Sequence, residues 1–292
     1  MKDGVLNILK PPGMTSHDVV ACLRRIYRTK KVGHAGTLDP AAAGVLPVAL
    51  GKATRLLEYM TAADKEYRAE LTLGYATDTG DDTGTVIMIK EMASLPQAEE
   101  INQVLQSFLG RSQQVPPMYS AIKIDGKKLY ELARAGIEVE RPARTIDISS
   151  ISLMQPAETR FVFSVTCSKG TYIRSLCEDI GERLGCPATM TFLVRTRVGR
   201  FSVAQASSLE EVAANPEKVL LPLDWGIQEL PALHLSETDC RAFSWGQHPT
   251  VEAALTEGTI CRVYANERLL GIGRYMQQGG CLIPEKVFPE SF

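Results

Sequence analysis

Tyr67-Arg68-Ala69-Glu70-Leu71-Thr72-Leu73 is the stretch that decides how this 292-residue chain folds. Apolar side chains occupy alternate positions with polar ones between them, which is the period of a half-buried β-strand. Working outward, Val5–Leu9 reads as a short strand ended by the turn Lys10-Pro11-Pro12-Gly13. Thr15 or Ser16 can cap a helix reaching about Arg28, in which Val19, Val20, Leu23, Ile26 and Tyr27 keep the 3.6 period. Residues 31–44 are loop-like, residues 45–50 predict a buried strand, and a helix is expected near 53–60. Asp78-Thr79-Gly80-Asp81-Asp82-Thr83-Gly84 and Asp125-Gly126 read as turns. Strands are expected at 145–154, 160–168 and 190–203, and a helix from about Tyr172 to Leu184. These elements show no regular βαβ alternation. The expected class is therefore α+β, with a central, mostly antiparallel sheet. From about Pro231 the runs become short and strand-like (259–264, 269–275, 280–284), as in a separate small β-rich domain.

The composition is 45% hydrophobic and 23% charged, which suits a globular protein with a real core and excludes disorder. No apolar run approaches the ~18 residues of a membrane span. The opening residues carry no secretory h-region. Seven cysteines without a CxxC pair argue against a disulfide framework or zinc site and for a reducing cytoplasm. A net charge of -2 taken alone argues against a nucleic-acid partner. The charge is uneven, however. Residues 1–60 carry +5, 61–140 carry -5, 141–200 carry +4 and 201–292 carry -6. Two basic segments folded together would make a positive face that the total conceals.

Four histidines without a clustered ligand set give no support for a metal, and GxSxG, P-loop and strand–GxGxxG–helix signatures are missing. Lys31-Val-Gly-His34-Ala-Gly36-Thr-Leu-Asp39-Pro40-Ala-Ala-Ala-Gly44-Val-Leu-Pro47 is the unusual segment. Its glycines allow close backbone approach, and Pro40 biases Asp39 towards an extended conformation. Such a loop can hold one carboxylate rigidly at a cleft, although a lone Asp-Pro is more often just a turn or helix cap. In Cys167-Ser168-Lys169-Gly170-Thr171-Tyr172-Ile173-Arg174-Ser175 an arginine sits at a helix start, where the dipole disfavours it. That position suggests a carboxylate or phosphate partner, against the plainer reading of a surface arginine. Tyr67 by itself reads first as an ordinary core tyrosine.

Together these segments closely resemble the tRNA pseudouridine-55 synthases of the TruB family. The resemblance lies in Gly4–Ser16, in Gly33–Pro47, in Lys65-Glu66-Tyr67, in Ser168–Leu176 and in Leu193-Val194-Arg195-Thr196 with Gly199 and Phe201. It implies a pseudouridine-synthase core over residues 1–228 and a small PUA-like RNA-binding domain over 229–292. It implies isomerisation of uridine at position 55 in the T loop of tRNA, with base flipping and neither cofactor nor metal. Asp39 would be the nucleophile. Tyr67 would stack on the base and serve in proton transfer, and Arg174 would pair with Asp39. His34, Tyr172 and Leu193 would shape the pocket, and Lys10 would support the catalytic segment. The implied partner is the T arm of tRNA, met by a cytoplasmic monomer with no membrane and no obligate protein partner. The charge of -6 over 201–292 is a poor match to phosphate.

Overall fold

The computed structural model describes residues 2–91, 94–124, 126–157 and 159–288. Asp125 of the expected turn and residues 289–292 of the C-terminal stretch lie outside the described residues. The first third of the chain holds β1 (Gly4–Lys10), α1 (Ser16–Ile26), β2 (Val32–His34), β3 (Ala43–Leu50), α2 (Leu57–Ala62), β4 (Lys65–Leu73), β5 (Tyr75–Thr77) and β6 (Val86–Ile89). There follow α3 (Ala98–Gln106), β7 (Gly110–Gln114), β8 (Lys123–Ile124), β9 (Lys127–Lys128), α4 (Leu129–Arg134), β10 (Arg144–Ala157) and β11 (Arg160–Cys167). Next come α5 (Ile173–Arg183), β12 (Ala188–Val198), β13 (Phe201–Ser202) and α6 (Leu209–Ala214). The last part contains β14 (Ala232–His234), α7 (Glu237–Ser244), β15 (Ile260–Ala265), β16 (Arg268–Met276) and β17 (Cys281–Val287).

The alternating stretch is indeed central. β4 turns Lys65, Tyr67, Ala69, Leu71 and Leu73 inward and leaves Arg68 exposed. It lies fourth in a sheet ordered β1-β3-β12-β4-β11-β10-β7, with β2 added on β3 and β13 on β12. Among the described residues every pairing in this sheet is antiparallel except β3 with β12. There Val194 faces Ala43 and Arg195 faces Gly44. Helices α3 and α5 cover the inward face. Ile101, Leu105, Leu176 and Ile180 meet Leu71, Phe161, Phe163 and Val165 in one apolar cluster. Side chains removed from water on this scale supply the main driving force for the fold.

A few expectations shift. The loop-like 31–44 segment contains β2, because Val32, Gly33 and His34 pair with Leu50, Ala49 and Val48. The strand expected at 190–203 is two strands. Gly199, at a φ of +48°, turns the chain so that Val198 pairs with Phe201. The helix expected at 53–60 starts as a 3-10 turn over Gly51–Leu56 before α2. The C-terminal part also contains α7, beyond the strands expected there, and Ser236 caps it by accepting from the Asp239 amide.

β14, β15, β16 and β17 form a second sheet around Phe243, Cys261, Val263, Leu270 and Leu282. It docks on the first through Tyr264, Leu269, Ile272 and Phe288, which pack with Val5, Val45, Leu56 and Met60. Tyr59 donates to Glu285 at 2.9 Å, and Lys286 pairs with Glu58 at 2.8 Å. Among the described residues no helix is long and apolar enough to cross a membrane.

Gly44 is where sheet and loop meet. Its φ is +116°, and a Cβ there would stand 2.2 Å from the Arg195 carbonyl oxygen. Gly44→Ala should therefore lower stability by about 2 kcal/mol or more, from combined strain and overpacking. The urea midpoint, read at unchanged m-value, checks this.

Candidate active site

Asp39 lies on the loop between β2 and β3. Positive φ angles at Gly36 (+113°) and Gly44 (+116°) bend both ends of that loop. Buried groups then tie it down from three sides. Arg195 donates to the carbonyls of Gly36, Thr37 and Val45 at 3.1, 3.1 and 2.8 Å. Ser16 Oγ accepts from the Leu38 amide at 2.9 Å, and Ser16 is itself set by the capping box between Thr15 and Asp18. Lys10 donates to the carbonyls of Pro11, Met14 and Pro40 at 2.8, 2.7 and 3.2 Å, and the Gly13 amide also reaches Pro40. The Asp39 side chain, about one third exposed, therefore projects from a backbone fixed on both flanks.

Arg174 enters from the first turn of α5, just after the N-cap Tyr172. Its Nε stands 3.1 Å from Asp39 Oδ2, and Nη2 lies 3.5 Å from Oδ1. The same guanidinium reaches Asp81 at 3.8 Å and donates to the carbonyls of Thr79 (2.9 Å) and Tyr119 (2.7 Å). An arginine at an unfavourable helix end is thus matched by two carboxylates and two carbonyls. The pairing with Asp39 is the one the family resemblance implies. Asp81 was read only as part of a turn. That turn holds it firmly, since it accepts from Thr79 Oγ1 (2.8 Å), the Thr83 amide (3.0 Å) and Thr83 Oγ1 (2.5 Å). The repeated Asp-Thr-Gly of residues 78–84 was the available signal.

Tyr67 is buried on β4, directly opposite Arg195 of β12. Leu193, also buried, is opposite Ala69 and belongs to the cluster that contains Tyr67, Leu38 and Ala42. Burial pushes the Tyr67 hydroxyl up, and the Arg195 charge opposes that rise. Tyr172 has its backbone amide and carbonyl clamped by Gln114 at 2.8 and 3.1 Å, and burial also raises its hydroxyl. His34 lies on the flank at the end of β2, edge-on to His17 at 6.5 Å, and burial favours its neutral form. Lys65, which the sequence reading quotes in a motif but gives no role, is buried at the start of β4 and donates to the carbonyls of Thr61 and Ala63. Asp39 pairs with Arg174, its charge reaches Tyr67, Tyr172 and Lys10, and Leu193 packs in the cluster of Tyr67 and Leu38, while His34 ends β2. No group of three or more His, Cys, Asp or Glu among the described residues is arranged to hold a metal ion. The arrangement offers one anchored carboxylate, one phenol and buried positive charge, which suits nucleophilic attack and proton transfer.

Comparison with known proteins points the same way. Residues 24–173 match the TruB family pseudouridylate synthase N-terminal domain, 174–228 match the tRNA pseudouridylate synthase B C-terminal domain, and 231–288 match the C-terminal domain of pseudouridine synthase II TruB. The chain is 46% identical to tRNA pseudouridine synthase B of Alkaliphilus oremlandii, over 98% of this chain and 91% of that protein. It is 43% identical to the protein of the same name from Streptococcus agalactiae, over 98% and 99%. Among solved structures it is similar to a chain of an H/ACA RNP bound to a substrate RNA containing 2'-deoxyuridine, with a TM-score of 0.78 and 28% identity over 98% of this chain and 85% of that one. A chain of a Cbf5-Nop10-Gar1 complex gives 0.77 and 30%, with the same coverage.

Burial lowers both Lys10 and Lys65 to about 8. Two lysine ε-carbon NMR signals should therefore titrate near pH 8, and Lys10→Met and Lys65→Met should each remove one. The sign for stability follows. Between about pH 8 and the unfolded value of 10.5 the folded protein binds fewer protons than the unfolded chain, so the contribution of these lysines to stability rises with pH across that window. A urea midpoint for Lys10→Met that follows the wild type across this window would contradict it.

Proposed function

The chain belongs to the TruB family of pseudouridylate synthases, and we propose from that premise that it isomerises uridine to pseudouridine in tRNA, at position 55 of the T loop, without a cofactor. The observation that carries this reading is the Asp39–Arg174 pair at 3.1 Å, set on a loop pinned at both ends, with buried Tyr67 near enough to feel the Asp39 charge. The names of the relatives support tRNA as substrate, and the motif resemblance supports position 55.

In this reading the target nucleotide is flipped out of the loop, at a cost of a few kcal/mol. Its uracil stacks on Tyr67 while His34, at the end of β2 just before the loop that carries Asp39, fills the space left behind. Asp39 acts as nucleophile, and Arg174 keeps its carboxylate ionised and aimed. The N1–C1′ bond breaks, the base rotates, and a C5–C1′ bond forms. C5 gives up its proton by way of Tyr67 and N1 gains one, so the product is an isomer and no oxidant or reductant is consumed. Tyr172 and Leu193 wall the pocket, and Lys10 holds the loop carbonyls. Asp81, which touches Arg174 and not the substrate, is a positioning residue. The basic segments 1–60 and 141–200 meet phosphate, and residues from 229 onward form a PUA-like RNA-binding domain. The protein works as a cytoplasmic monomer.

The test is incubation with unmodified tRNA followed by mapping of pseudouridine. Product at position 55 is expected, and free uracil would instead indicate an N-glycosidase. Asp39→Asn should abolish product and leave tRNA binding within about threefold. Wild-type turnover by that variant would refute the assignment. Tyr67→Phe should slow single-turnover chemistry more than binding. Asp81→Asn should slow it by about 10- to 100-fold through misplacement of Arg174. Affinity for tRNA should fall steeply as salt is raised.

A further inference from the structure

Arg195 has no part in the chemistry described so far, yet it is the largest fully buried side chain among the described residues, at 1% exposure. Burying a guanidinium costs several kcal/mol unless its charge is answered. No carboxylate among the described residues forms an ion pair with it. Its bonds go instead to the carbonyls of Gly36, Thr37 and Val45, on either side of Asp39. Across the β4–β12 pairing it stands opposite Tyr67. Its charge acts on Tyr67, Lys10, Lys65 and His34 alike. An apolar side chain would fill the space at lower cost. A lysine would keep the charge but could not span three carbonyls with one planar fork.

We propose that Arg195 is a positioning residue for the isomerisation, its fork fixing the Asp39 loop and its positive charge preparing the Tyr67 hydroxyl for proton transfer. The proposal rests on the reading of this protein as a pseudouridine synthase. The proton concerned leaves C5 for the Tyr67 oxygen in its phenolate form and passes on to N1, which regenerates the phenolate, so charge and atoms balance across the step. Burial alone works against the phenolate, and Arg195 is the leading influence opposing it. Two effects are therefore separable. Losing the fork loosens the loop, and losing the charge weakens the acidity of Tyr67.

Arg195→Lys keeps the charge and loses the fork, and Arg195→Met loses both. Single-turnover rates on unmodified tRNA should fall about 10-fold for the first and about 100-fold or more for the second, with dissociation constants within about threefold of wild type. Replacing Tyr67 by 3,5-difluorotyrosine, a more acidic phenol of nearly the same shape, should restore at least about 10-fold of the rate lost in Arg195→Met and little of that lost in Arg195→Lys. A purely structural clamp gives no such rescue, and its absence, or a wild-type rate in Arg195→Met, overturns the proposal. Should Arg195→Met melt well below wild type, Arg195→Gln, which keeps a planar donor, takes its place in the same comparison. A wild-type protein that makes no pseudouridine would instead defeat the underlying functional reading.

Discussion

Backbone carbonyls that must be satisfied out of contact with water are the constraint on which this structure turns. The loop bearing Asp39 presents the carbonyls of Gly36, Thr37, Pro40 and Val45 inward, and buried Arg195 and Lys10 answer them. Each partner solves the other's problem, because an unsatisfied carbonyl and an unpaired cation are both costly in the interior. The loop can adopt this shape because Gly36 and Gly44 tolerate positive φ, and because β12 passes beside Gly44 closely enough for Arg195 to reach. The carboxylate that emerges is held by its backbone, so its position owes little to side-chain flexibility. Arg174 then needs only to meet it, with Asp81 and two further carbonyls holding the guanidinium on its other sides.

The charge of the molecule makes sense on the same terms. Four buried cations, Lys10, Lys65, Arg174 and Arg195, stand against Asp39 and Asp81. The centre therefore carries a positive excess, which suits a polyanionic substrate and developing negative charge on a base. Several acidic side chains of residues 201–292, a segment whose balance looked unfavourable for phosphate, are engaged by partners within the protein. Asp224 accepts from Tyr264 and pairs with Arg262, Glu285 accepts from Tyr59 and Arg274, and Glu217 pairs with Lys2. Two of these bonds, Tyr59 with Glu285 and Lys2 with Glu217, reach back to the first part of the chain.

Much of the architecture was legible in the chain. The alternation at 67–73 gives β4, the buried run at 45–50 gives most of β3, and the periodic helix after Thr15 gives α1 with its capping box. The elements that escaped notice, β2, β7 and α7, are short or polar, and what defines them is pairing or packing against distant partners. The same division runs through the site. Asp39, Tyr67 and Arg174 stood out through the resemblance of several ordered motifs, since each taken alone has a plainer reading. Asp81 did not, since an aspartate in a turn is commonplace on its own.

By itself the sequence determined local geometry: which segments extend or coil, where the loop must bend, and which family the ordered motifs resemble. Such features depend on residues within a turn or two of one another, where propensity and periodicity act. Only the tertiary structure decided that Asp39, Asp81 and the Tyr119 carbonyl converge on Arg174, and that Arg195 grips the Asp39 loop while facing Tyr67. Those contacts exist because β12 inserts between β3 and β4. Strand order is set by the total burial of the assembled sheet, and no spacing along the chain encodes it.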